Sequence, residues 1–140
     1  MRAKTICTDL TCALGTNTST PVLLVAAAVG SVFAGDEAIP GEDMAFPSSG
    51  NAVLALEFNG VTLTLADTIV VNTSNNYYAD SGSGETWVAQ YTYTVHSAGL
   101  SGYSVTKFID KFPLGEAIEV VITSGHSSGA GSISAYLLND

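Results

Sequence analysis

The sequence predicts an all-β fold: an antiparallel β-sandwich or jelly roll of about eight or nine short strands, preceded by an extended N-terminal arm. Three observations carry that expectation. Apolar residues alternate with period two in several segments, most clearly Thr86–His96 and Ala117–Ser124. Clusters of Gly, Asn and Ser interrupt the chain at strand-like intervals. No stretch after Gly35 carries the 3.6-residue apolar stripe of a helix.

In chain order, Met1–Thr20 is threonine-rich and weakly periodic. It reads as an arm, loose on its own and expected to be held by a neighbouring subunit, with residues 21–140 forming the sandwich. Arg2, Lys4, Ile6, Leu10 and Leu14 are the arm's candidate partner contacts. Cys7 and Cys12 are two thiols, too few for a zinc site, which takes four ligands. Free thiols and a small disulfide-closed ring both stay open. The apolar run Pro21–Ala34 is shorter than the roughly 18–20 residues of a membrane-spanning helix. It has the small-residue end of a signal peptide, but the long polar stretch before it, with Asp9, is wrong for a short basic leader region. One or two buried strands broken near Gly30 fit it better. Gly35–Asn51 is a Gly/Pro loop holding Asp36, Glu37, Glu42 and Asp43. Carboxylates so close could hold Ca2+, although the spacing is not that of a calcium-binding loop and a solvated acidic loop is the simpler reading.

Val53–Ala66 is the centre of the pattern. Asn59-Gly60 tolerates the positive φ of a two-residue turn, which predicts a hairpin placing Phe58 opposite Val61, Leu56 opposite Leu63 and Leu54 opposite Leu65 on one apolar face. Thr68–Val71 is a short buried strand, and Asn72–Glu85 a polar loop with Tyr77 and Tyr78. In Thr86–His96, Trp87, Ala89, Tyr91, Tyr93 and Val95 are expected to share a face. Tyr103–Asp110, Ala117–Ser124 and Ser132–Leu138 complete the strands, the second burying Ile118, Val120 and Ile122.

Composition bounds the function. The 140 residues make one domain, 46% hydrophobic but only 12% charged, against about 25% charged in an average domain, so hydroxyls, amides and glycine must cover the surface. A net charge of −9 disfavours nucleic-acid backbones and anionic membranes alike. Gly125-His126-Ser127-Ser128-Gly129 matches the nucleophile elbow G-x-S-x-G, but that turn joins a strand to a helix and here a glycine-rich strand follows. His96 and His126 have no ligand-like neighbours. Glu116, Glu119 and Asp67 read as ordinary acids. Asn17 and Asn72 fit the glycosylation sequon. No catalytic, cofactor or metal residue is assigned, and no cofactor is expected.

In size, in composition and in the Met1–Thr20 arm leading into strands, the chain resembles the small β-rich decoration, or cement, proteins of tailed-phage heads. That resemblance implies a non-enzymatic virion protein on the outer capsid surface. It would clamp major capsid protein or other virion subunits through the arm and an apolar patch, often as a homotrimer. The competing readings are another virion part, such as a tail or fibre subunit, an extracellular fibre subunit joined by donated strands, and a carbohydrate-binding sandwich. The last would present Tyr77, Tyr78 and Trp87 for stacking on a sugar.

Overall fold

Alternating apolar residues become strands because only a sheet turns every second side chain to one side. The computed structural model describes residues 2–24, 51–77, 84–125 and 129–139, in which nine strands form two antiparallel sheets. They are β1 (Arg2–Thr11), β2 (Gly15–Thr18), β3 (Val22–Leu23), β4 (Asn51–Leu63), β5 (Thr68–Ser74), β6 (Val88–Thr94), β7 (Leu100–Pro113), β8 (Ala117–Ser124) and β9 (Ala130–Asn139). One sheet runs β1-β9-β4-β7; the other runs β2-β8-β5-β6, with β3 also paired to β8. The all-β expectation and its strand number hold.

The core lies between the sheets. Leu54, Leu56, Phe58, Val61, Leu63, Ile133 and Leu137 from the first meet Ile69, Val71, Ile118, Val120 and Ile122 from the second. Each such side chain contributes roughly 1.5–3 kcal/mol when fully buried. Buried Asp67 staples the turn after β4 to the end of β8. Its carboxylate accepts from the Thr64 amide (3.0 Å) and the Gly125 amide (2.9 Å).

The predicted hairpin at Asn59-Gly60 does not form. β4 passes straight through it as one strand of 13 residues, paired to β7 on one side and β9 on the other. Against both neighbours β4 carries one extra residue here, as shown by the pairs Phe58–Val105 and Val61–Tyr103, and Asn59–Ser132 and Thr62–Ala130. Gly60 takes φ 59°. This is a β-bulge, and its physical effect on the pattern equals that of a two-residue turn: it moves the inward set from even to odd numbers. Hence Leu54, Leu56 and Phe58, then Val61 and Leu63, all face the core. Leu65, expected inward, is 62% exposed because the strand has ended.

The segment read as an arm belongs to the sandwich. β1 pairs with β9 as an edge of the first sheet, and β2 pairs with β8 in the second. Its weak periodicity has a local cause. Register shifts between Thr5 and Cys7 and between Cys7 and Leu10, with Asp9 at φ 52°, reset the alternation. A Ser19–Val120 backbone bond (2.8 Å) and a Ser19 hydroxyl accepting from the Val120 amide (2.8 Å) continue the docking. Residues 2–11 and 15–18, expected as part of an arm, are therefore paired within the two sheets.

A second bulge divides the aromatic face predicted for Thr86–His96. Val71 pairs with Tyr91 but Asn72 pairs with Ala89, so Gln90 is extra. Tyr91, Tyr93 and Val95 pack on the core, whereas Ala89 is exposed.

Candidate functional site: an open edge lined by tyrosines and a lysine

Beyond β6 and β7 the two sheets have no further strand among the described residues, and these two strands pair only with β5 and β4 respectively. Among the described residues the sandwich is consequently open along this side. Val105 lies opposite Phe58 and Val88 opposite Thr73, positions that face inward, yet they are 41% and 50% exposed. Inward-facing valines this exposed mark an edge that no described strand covers.

Four side chains fill the mouth. Tyr91 and Tyr93 come from β6; Tyr103 and Lys107 come from β7. Phe58 stands behind them, edge-on to Tyr93 (centroids 5.9 Å) and to Tyr103 (5.3 Å). Lys107 pairs with Leu56, so it leaves the strand on the core side. Its Nζ lies 5.3 Å from the Tyr93 ring centroid and 6.0 Å from that of Tyr103. Cation–π attraction of this kind is worth about 0.5–2 kcal/mol, more as water is excluded. No carboxylate of the described residues forms an ion pair with it. The Tyr91 phenol is pushed above its ordinary value, first by burial and then by Tyr93 and Tyr103, with Lys107 opposing. The site is therefore one half-buried lysine among three tyrosines, on a chain of net charge −9.

The residues singled out in the sequence fall elsewhere. Ile6 is buried in the core, Leu10 is packed against it and Lys4 is half-buried, so only Leu14, 59% exposed, is a surface apolar contact among the four. The side chain of Arg2 lies outside the described residues. Tyr77 and Trp87 do meet, with centroids 6.0 Å apart, but their rings are inclined by 59° and both are half-buried, so they make no flat platform. Tyr78, the acidic loop with Asp36, Glu37, Glu42 and Asp43, the run after Leu24, and His126 to Ser128 lie outside the described residues. Cys7 and Cys12 are free thiols, and burial pushes both up to about 11. Among the described residues no three His, Cys, Asp or Glu side chains come together as a metal site. No described helix is long and apolar enough to cross a membrane.

The tyrosine–lysine cluster was missed because its members are individually ordinary. Tyr91 and Tyr93 read as core and Lys107 as a strand residue; only the meeting of two edge strands from different sheets joins them. The chain matches no protein-family model, no curated protein and no solved structure.

Proposed function

We propose that this chain is a non-enzymatic structural subunit, of the kind that decorates the outer surface of a virion, and that it works by docking on neighbouring subunits. The observation that carries this reading is β7. It is a 14-residue edge strand whose outward side has no partner among the described residues, with Phe108 64% exposed and Val105 uncovered. Long apolar edges invite pairing with another chain, and soluble proteins ordinarily blunt them. Both edges of this sheet carry irregularities, β7 against β4 at three places and β1 against β9 at two, so it is the exposed apolar residues that mark β7. The low charge and hydroxyl-rich surface agree with a protein that lives packed among copies of itself or other subunits. Clamping through residues 1–20 is replaced in this proposal by docking along β7.

Sedimentation velocity of the full chain tests it. Self-association is expected, and Phe108→Glu, at a site too exposed to disturb folding, should return a monomer with an unchanged melting temperature. A wild-type chain that stays monomeric at all concentrations removes the reading.

A further inference from the structure

Resting on that docking edge, we infer that the mouth between β6 and β7 receives an extended peptide segment of a partner, apolar on one side and carrying a carboxylate aimed at Lys107. Three features point to this occupant. Among the described residues no strand pairs with the outward side of β7, which leaves it open to strand addition, a mode that supplies affinity through main-chain hydrogen bonds and specificity through alternate side chains. The uncovered valines, Val88 and Val105, want apolar side chains beside them. Lys107 then selects the charge. Its side chain is half-buried, and among the described residues its ammonium lies near the rings of Tyr93 and Tyr103 with no carboxylate paired to it. A carboxylate reaching it would form a charge-assisted hydrogen bond of about 2.7–2.9 Å in a shielded site. A cationic or neutral segment would leave that ammonium further desolvated and unpaired.

The charge of the whole chain makes the salt dependence distinctive. A body of net charge −9 repels an acidic segment at long range, and that repulsion is screened beyond about 8–10 Å at ordinary ionic strength. The contact at Lys107 is short-range and partly shielded. Binding should therefore hold constant or strengthen as salt rises, the reverse of a simple surface attraction between opposite charges.

The probe is a short synthetic peptide alternating valine and serine with aspartate at its centre, compared with the same peptide carrying asparagine. Binding to the full chain is followed by amide exchange and by tyrosine chemical shifts. The expected result is protection along 100–113, shifts at Tyr93 and Tyr103, and a roughly tenfold preference for the aspartate peptide. Lys107→Met, which keeps the aliphatic stem, should abolish the preference, and Lys107→Arg should restore it. Equal binding of the two peptides, protection on β1 instead of β7, or binding of an acidic polysaccharide but not the peptide would each overturn the inference. If the chain self-associates through Phe108 yet ignores both peptides, this inference fails while the docking role stands. If the peptide binds to a chain that remains monomeric, the reverse holds.

Discussion

Gly131 and Gly60 both sit in the left-handed region, at φ 84° and 59°, but they are not equivalent. A Cβ on Gly131 would overlap the Gly60 carbonyl, whereas one on Gly60 meets nothing within 4 Å. Gly60→Ala should thus cost only the conformational penalty of about 1–2 kcal/mol. Gly131→Ala should cost clearly more, since backbone must also move; urea unfolding of the two variants gives the comparison. Glu119 provides a second test. It is buried on β8 opposite Asn72, and burial raises its carboxyl above the ordinary glutamate value, with Glu85 adding to the rise and an Asn72 hydrogen bond opposing it. Because the unfolded chain then releases this proton at lower pH than the folded one, the contribution of Glu119 to stability is fully present below the ordinary glutamate value. It declines as pH rises through the folded value. Glu119→Gln should remove that decline and leave the variant more stable than wild type at pH 7, measured by denaturation across pH 4 to 7. A decline of equal size in both proteins would show the carboxyl is not responsible.

At the scale of the element, β4 shows how one extra residue preserves a core. The bulge lets Leu54, Leu56 and Phe58 and then Val61 and Leu63 point the same way. Deleting Asn59 removes the extra residue, so strict alternation then runs Phe58 inward, Gly60 outward, and Val61 and Leu63 inward, and the core face survives. The variant is expected to keep a cooperative thermal transition followed by circular dichroism, losing about 1–3 kcal/mol for the altered pairing of β4 with β7 and β9. Loss of the transition would mean that the bulge is required for more than setting which residues face inward. The same two apolar runs separated by Asn-Gly are compatible with a hairpin and with a bulge. The choice was made by β7 and β9, which flank β4 along nearly its whole length and leave no room for it to fold back.

For the whole molecule, the decisive arrangement among the described residues is that β1 forms one edge of the first sheet while β6 and β7 bring the other edges of the two sheets together. Removing residues 2–11 strips β1 from β9 and takes Ile6 out of the core. Stability should fall by at least 3 kcal/mol, on the order of a large core truncation, or folding should be lost. If the shortened chain unfolded at the same denaturant concentration as the full one, residues 2–11 would be an appendage after all. Loss of contact at β1 and gain of contact at β7 are separable events, so truncation reports on folding and Phe108→Glu reports on association.

The sequence alone determined the all-β class, the limits of most later strands and the identity of the central core, because period-two alternation and Gly/Asn turns are local and leave a direct trace. Ile118, Val120 and Ile122 lie inward as their spacing requires. Tertiary structure decided the rest. Bulges hide from a periodic reading because each reverses the faces, so β1 looked unstructured and β4 looked like two strands. Which strands end a sheet depends on pairings between residues as distant as Cys7 and Ala135. The open edge with Lys107 between Tyr93 and Tyr103 exists only once two such ends, from different sheets, are brought side by side.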